Sequence, residues 1–503
     1  MHQQKPETSD NNQNRIIVRL DGHAYYYPVC DVLRLFTGEI PREEEEQVVC
    51  AAGSLASSDL FSSEKALVLV SRVSNERVET VFRNKEQISV DRKDLTLPLN
   101  REVKRQLYFL LSRITGKTFP WGSLTGIRPT LVAREVESED ELVQNYGVRK
   151  DKAHLAFLTK EREDLVLDAS SPDALHIYIG IPFCPSRCSY CSFISQEAPK
   201  KREMLPSYVD AVLREMDLVL PKIGYKIESL YIGGGTPTVL PEVLFEKFIK
   251  GVFSHPELSE VKEVCVEAGR PDTITEKKLQ VLRDNGVSRI CINPQTLCDA
   301  TLERVGRKHS AADFVSAFRM AKKMGFTIIN TDLIAGLPGE TASEFRSSLC
   351  EIISLSPENI TVHALSKKRR SSMKREEVVR SEEEDLRDVG SMLSFASEKL
   401  LSEGYVPYYM YKQKDTIRGH ENIGYCREGT ECIYNVAMMS DMRSVLSFGA
   451  GGMSKRIFPD NSASEDAMSH VRIERCPCIK EPSQYIRDVE IMAERKICFF
   501  SEE

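Results

Sequence analysis

The sequence predicts an α/β protein built on a partial (β/α)6 barrel, with an α+β region before it and an α+β extension after it. Three observations predict this. From His176 onward, short apolar runs alternate with longer amphipathic segments, the pattern of a parallel sheet covered by helices. Before about residue 170 and after 381, strand-like runs cluster without that alternation. At 503 residues the chain is also too long for one hydrophobic core. The expected division is a disordered tail (1–14), an accessory α+β domain (15–170), the barrel (171–380) and a substrate-covering domain (381–503).

In the accessory domain, 16–20 and 24–28 read as strands around the turn dipeptide Asp21-Gly22. Residues 48–50, 66–73 and 77–83 add strands, 43–46 is a solvated acidic run, and 103–115 is helical in period. Trp121 is expected as a core anchor. No metal-ligand spacing appears there, which leaves a docking or covering role. The barrel strands are expected at 177–181, 229–232, 261–266, 289–292, 327–333 and 359–363. Helices at 206–220, 242–253, 275–285, 311–324 and 343–355 separate them, so functional loops belong at the strand C-termini. In the last region 381–404 is helical, 405–412, 433–436 and 445–448 read as strands, and 449–452 is a glycine turn.

Composition excludes several classes. A net charge of −7 argues against broad attraction to nucleic acid or membrane surfaces. No apolar run is long enough to span a bilayer, and the polar 1–14 is no signal peptide. The 14 cysteines are scattered rather than framing a small domain, which suits a reducing cytoplasm.

The loop after the first barrel strand reads FCPSRCSYCSF, with Cys184, Cys188 and Cys191 spaced C-x3-C-x2-C. Three thiolates on one loop can hold three irons of a [4Fe–4S] cluster and leave the fourth open to a ligand such as S-adenosylmethionine. A zinc site asks for four ligands and a disulfide leaves an odd cysteine. The loop alone favours the cluster, with another metal or structural thiols as alternatives. Cys426, Cys432, Cys476, Cys478 and Cys498 lack a compact ligand motif.

Further features fall at the other strand ends. YIGGGTPT, containing Gly234, Gly235 and Thr236, lets backbone approach a ligand closely. Glu267 ends the third strand, where it can accept from an ammonium group or form a surface salt bridge. Gln295 follows the fourth, and Arg307 lies twelve residues beyond it. Asp332 stands in the apolar fifth strand, where an unpaired carboxylate is costly. His363 on the sixth is a core histidine or a pocket group. The basic run after it contains Lys368 and Arg369, read as either solvated or gripping an anionic, multi-carboxylate substrate.

Together, YIGIPFCPSRCSYC, YIGGGTPT, NTDLIAGLPGE, and ENIGYCREGTECIYN with GAGGMSK resemble the radical S-adenosylmethionine superfamily. More closely, they resemble its oxygen-independent coproporphyrinogen III oxidase (dehydrogenase) branch. VEAGRPDTIT, INPQTLCDATLERVGRKH and LTGIRPT look like the long type found in anaerobic and spore-forming bacteria. The resemblance implies a radical-SAM barrel with a [4Fe–4S] cluster and S-adenosylmethionine as cofactors. By position, Cys184, Cys188 and Cys191 would ligate the cluster. Tyr178 matches the aromatic before the loop, and Tyr190 the one beside the adenine. Gly234 and Gly235, with Thr236, would meet the methionine end of the cofactor, with Glu267 nearby. Gln295, Arg307 and Asp332 match residues that fix its ribose and carboxylate.

The implied reaction turns two porphyrinogen propionates into vinyl groups, by removal of a β-hydrogen and then loss of CO2 and one electron. The implied partners are a porphyrinogen or heme-type small molecule and an electron donor such as a flavodoxin or ferredoxin, without nucleic acid or a membrane span. Two positions depart from the pattern. Phe193 stands where the best-studied enzymes have a fourth cysteine, and Gly180 where most relatives have a histidine. The same fold serves heme chaperones, and Phe193 favours that alternative.

Overall fold

The computed structural model describes residues 14–55, 61, 65–82, 86–126, 128–191, 195–365, 382–412, 419–459 and 471–501. It divides into two compact units. The first comprises 1–129, 133–154 and 416–420, and the second 130–132, 155–415 and 421–503.

The first unit is a six-stranded sheet backed by helices. Its order is Arg42–Glu44, Gln47–Ala51, Arg15–Asp21, Ala66–Val73, Arg77–Phe82, Glu86–Asp91. Arg15–Asp21 alternates buried and open residues as a strand with one solvated face must. Ile16, Val18 and Leu20 meet Val29, Val32, Leu33 and Phe36 of the helix Tyr26–Thr37 in one core. That helix corrects the strand expected at 24–28. Pro28 falls in its first turn, where a missing N–H leaves nothing unpaired, and Gly38 closes it in the left-handed conformation. Trp121 is buried, 2% exposed.

The second unit is organised by an eleven-stranded sheet. Six of its strands run parallel in chain order: Leu175–Ile181, Ile227–Gly234, Glu263–Gly269, Arg289–Ile292, Ile328–Ala335 and Asn359–Ala364. Helices lie between them, two opened by complete capping boxes at Ser310/Asp313 and Thr341/Glu344. Strands covered on both faces need apolar residues throughout, which is why these read as continuous hydrophobic runs. The barrel is open, not closed.

The region after 381 is not a separate body; it builds both edges of this sheet. Glu421–Cys426 pairs antiparallel with Asn359–Ala364 and with Val406–Lys412. At the opposite edge Ser444–Phe448 runs parallel to Leu175–Ile181, and a hairpin of Met453–Pro459 and Val471–Pro477 follows. An open parallel sheet presents unpaired backbone at each edge, and these strands satisfy it. Residues 433–436, expected as a strand, belong to the helix Ile433–Ser440. The amide of Ile433 at its start donates to the buried Glu263 carboxylate (2.9 Å), so a tertiary anion at the helix N-terminus overrides β-propensity.

Arg289, 1% exposed, locks these parts together. Its guanidinium donates to Glu263 (3.0 Å), to Asn359 Oδ1 (2.8 Å) and to the carbonyls of Thr430 and Glu431 (both 2.9 Å). A buried cation is tolerated because every donor face is paired.

Candidate functional site

The C-terminal ends of the six parallel strands bring together most of the residues singled out by sequence. Leu175–Ile181 delivers the cysteine loop. Its thiols lie near one another: burial first, then the neighbouring Cys191 and Cys188, push the Cys184 thiol up to about 11, against hydrogen bonds from Thr236 and Ser195. Thr236 Oγ1 donates to Cys184 Sγ (3.6 Å), and the Cys191 amide to the Cys188 carbonyl (3.1 Å). Among the described residues no three His, Cys, Asp or Glu side chains converge to hold a single metal ion. A four-iron cluster does not ask for that convergence, because each thiolate binds a different iron.

The glycine run is a cradle. The Gly235 amide donates to the Ile181 carbonyl (2.9 Å) and the Thr236 amide to the Phe183 carbonyl (2.8 Å), zipping the run to the base of the cysteine loop. A Cβ on Gly235 would lie 2.5 Å from the Phe183 carbonyl oxygen, and Gly234 has φ +111°, so neither position admits a side chain without strain.

Glu267 sits under this cradle. It accepts from Tyr231 Oη (2.6 Å) and from the Gly234 amide (3.2 Å), and no cation among the described residues forms an ion pair with it. Burial, reinforced by Asp332, pushes its carboxyl up to about 7 against those hydrogen bonds. Tyr231 and Tyr434 stack on each other at 4.7 Å, and Tyr178 lies beside both rings, with centroids 6.2 and 6.0 Å away. Burial holds the Tyr178 phenol well above its ordinary value.

Gln295 adopts φ +71°, with its amide donating to the Asp332 carbonyl (2.9 Å) and its own carbonyl accepting from Ile334 (3.0 Å). This bridge ties the loop after the fourth strand to the fifth, and Gln295 Oε1 is buried without a partner among the described residues. Arg307, 7% exposed, donates to Tyr190 Oη (3.0 Å) and the Asn293 carbonyl (2.6 Å), while its Nε has no partner among the described residues. Burial raises the Tyr190 phenol, with Arg307 opposing. Asn330 Nδ2 donates to Asp332 Oδ1 (2.7 Å), and His363 Nε2 lies 3.8 Å from Asp332 Oδ2. His363 is thus a rim group, within 3.4 Å of Tyr411 Oη.

Cys184, Cys188, Cys191, Tyr178, Tyr190, Gly234, Gly235, Thr236, Glu267, Gln295, Arg307 and Asp332 therefore share the strand-end face or the loops on it. Lys368, Arg369 and Phe193 lie outside the described residues. Sequence reasoning missed Tyr231, whose signal was its place two residues before the glycine run, and Tyr434, which has no local signal. The residues present fit a [4Fe–4S] cluster with S-adenosylmethionine. Three thiols on one loop, a side-chain-free backbone cradle, and, among the described residues, a half-buried carboxyl without a cation and two buried polar atoms without a partner are what a zwitterionic ligand beside a cluster would use.

A family model described as the Radical SAM superfamily matches residues 178–349. The chain is 36% identical over 416 residues to the oxygen-independent coproporphyrinogen-III oxidase-like protein HemZ of Bacillus subtilis (strain 168), across 78% of this chain and 79% of that protein. It is 36% identical over 194 residues to the heme chaperone HemW of the same organism, across 37% of this chain and 49% of the chaperone. The solved coproporphyrinogen III oxidase of Escherichia coli, described as a radical SAM enzyme, aligns with a TM-score of 0.49 at 20% identity, covering 67% of this chain and 73% of that one.

Proposed function

Since the chain belongs to the oxygen-independent coproporphyrinogen-III oxidase-like family of the radical SAM superfamily, we propose that it oxidatively decarboxylates porphyrinogen propionates, converting coproporphyrinogen III to protoporphyrinogen IX. The observation that carries this reading is the reach of the similarity. The oxidase-like relative is matched along 78% of the chain at 36% identity, whereas the heme chaperones of Bacillus subtilis and Haemophilus influenzae are matched along 37% at 36% identity and along 64% at 26% identity.

When bound, the cluster and S-adenosylmethionine would supply the one-electron chemistry that removes a hydrogen atom from the β-carbon of each of the two propionates converted. The chain supplies binding, orientation and exclusion of water. Cys184, Cys188 and Cys191 are assigned to the cluster. Glu267 and the Gly234–Gly235 backbone are assigned to the cofactor's amino-acid end, and Gln295, Arg307 and Asp332 to its ribose and carboxylate. The Tyr178–Tyr231–Tyr434 stack walls the site with apolar ring faces. Lys368 and Arg369 are assigned to the propionates, and a flavodoxin or ferredoxin in the cytoplasm to electron delivery.

The chaperone similarity over 194 residues favours a second reading, heme binding without decarboxylation. The deciding experiment is anaerobic. The cluster is reconstituted, coproporphyrinogen III, reductant and S-adenosylmethionine are added, and products are followed by mass spectrometry. Protoporphyrinogen with 5′-deoxyadenosine, both lost in Cys188→Ala, is the expected result. Deoxyadenosine without decarboxylated porphyrin would move the chemistry to another substrate. Neither product, with tight heme binding instead, would replace the enzyme by the heme-handling reading.

A further inference from the structure

We propose that Arg270 is a positioning residue for the cysteine loop, clamping it at Ser186 between the first two cluster thiols. Arg270 follows Gly269 at the end of the third barrel strand and is 3% exposed. Its Nη1 donates to Ser186 Oγ (2.8 Å) and faces the Ser186 carbonyl oxygen at 3.4 Å. Its Nε and Nη2 donate side by side to the two carboxylate oxygens of Asp272, at 2.9 and 2.8 Å. The fork geometry of arginine makes this arrangement rigid: Asp272 fixes the plane of the guanidinium, and the remaining nitrogen has one direction left, toward Ser186.

The loop is pinned on either side of this contact. Thr236 reaches Cys184, Ser186 Oγ also donates to the Gly306 carbonyl (3.3 Å), the Ser189 amide donates to the Val305 carbonyl (3.1 Å), and Arg307 holds Tyr190. With Arg270, these anchors come from the segments after three different strands. Three thiolates must each reach a separate iron, so a loop free to move would lose conformational entropy on binding the cluster, and anchors at the protein's own expense reduce that loss. Asp272 neutralises Arg270 locally, so the clamp acts on the loop's geometry and on the hydrogen bonding around the thiols rather than as a bare charge. Partners just outside a ligand set commonly govern metal affinity this strongly.

The inference rests on the cluster reading of Cys184, Cys188 and Cys191 and not on the identity of the porphyrin, so its test uses no porphyrin. Full-length wild type, Arg270→Met, Arg270→Lys, Ser186→Ala and the Arg270→Met/Ser186→Ala double variant are reconstituted anaerobically with iron and sulfide. Iron per chain is titrated, and the cluster's midpoint potential and its paramagnetic spectrum are recorded with and without S-adenosylmethionine. Arg270→Met is expected to weaken apparent iron affinity about 10-fold or more and to shift the potential and the spectrum. Ser186→Ala should move both in the same direction, the double variant should fall short of the sum of the two single effects because the Arg270–Ser186 contact is lost only once, and Arg270→Lys should recover part of the loss. Wild-type loading and an unchanged potential in Arg270→Met, or strictly additive effects in the double variant, would overturn the clamp. If Arg270→Met does not fold, Arg270→Lys is read in its place, because it keeps a cation beside Asp272 and gives up the fork that reaches Ser186. A wild-type chain that takes up no four-iron cluster would overturn the cysteine reading itself, and the clamp with it.

Discussion

Replacing Gly235 by alanine tests whether the glycine cradle is fitted to the cysteine loop. The added Cβ would stand 2.5 Å from the Phe183 carbonyl oxygen and 2.9 Å from its carbon and nitrogen, all backbone atoms. Unstrained heavy-atom contacts lie near 3.5 Å, so the two segments must separate by roughly 0.6–1 Å. They are held together by the Gly235–Ile181 and Thr236–Phe183 hydrogen bonds, each worth about 0.5–1.5 kcal/mol net. Keeping both bonds means accepting an overpacking strain of about 1–3 kcal/mol. Either route gives a destabilisation of about 1–3 kcal/mol, and either displaces Phe183 and with it Cys184, the next residue. Thermal unfolding reads the first effect, and iron bound per chain after reconstitution reads the second. Gly126→Ala is the control, because its Cβ would meet nothing within 4 Å. If Gly235→Ala unfolds and loads iron as Gly126→Ala does, the cradle is not fitted to the loop and the reasoning fails.

Other expectations follow from buried carboxyls. A ligand ammonium placed on Glu267 would draw its carboxyl down from about 7, so S-adenosylmethionine should bind more tightly as pH rises from 6 to 8 with release of a proton; calorimetry in two buffers would show this, and Glu267→Gln should abolish the proton release. Glu340, accepting from Thr296, is pushed up to about 7, mainly by burial. The folded chain therefore binds the extra proton between about pH 4.5 and 7, and stability falls as pH rises through that window by up to about 3 kcal/mol. Glu340→Gln should flatten this slope and raise the melting temperature at pH 8; equal destabilisation at pH 5 and 8 would contradict it. Lys496 pairs with Glu215, both buried, and Glu215 also accepts from Tyr485 (2.7 Å) and the Gly449 amide (3.1 Å). Lys496→Met leaves that carboxylate without its cation and should cost about 3–5 kcal/mol in denaturant unfolding.

The barrel was legible because its strands are covered on both faces. Runs such as Leu175–Ile181 must be apolar at nearly every position, and that survives without knowledge of neighbours. The cysteine loop and Asp332 were legible for the opposite reason: clustered thiols, and a carboxylate inside an apolar strand, are chemically out of place unless something requires them. The two helices read as strands fail on a shared ground. A tyrosine-rich stretch at 24–28 and Ile433–Val436 have β-type composition, but Pro28 in a first turn and a carboxylate from Glu263 at a helix start decide the outcome. The first is a positional effect and the second comes from 170 residues away.

What the sequence hides most thoroughly is the pairing between strand ends. Arg270 stood in plain view in VEAGRPDT, and Ser186 between two cysteines, yet nothing local joins them across 84 positions. The parallel register does. Leu230 opposite Ile177 and Val264 fixes how far each strand projects, and so which loop residues meet above the sheet. Tyr434 reaches Tyr231 in the same way, through a helix whose position is set by Arg289, Glu263 and the carbonyls of Thr430 and Glu431. Residue types therefore announce which chemistry is available, while register decides which of those residues act on one another. The residues that sequence alone placed on this face are those singled out by their own chemistry, and the residues it passed over are those whose contacts hold a neighbour.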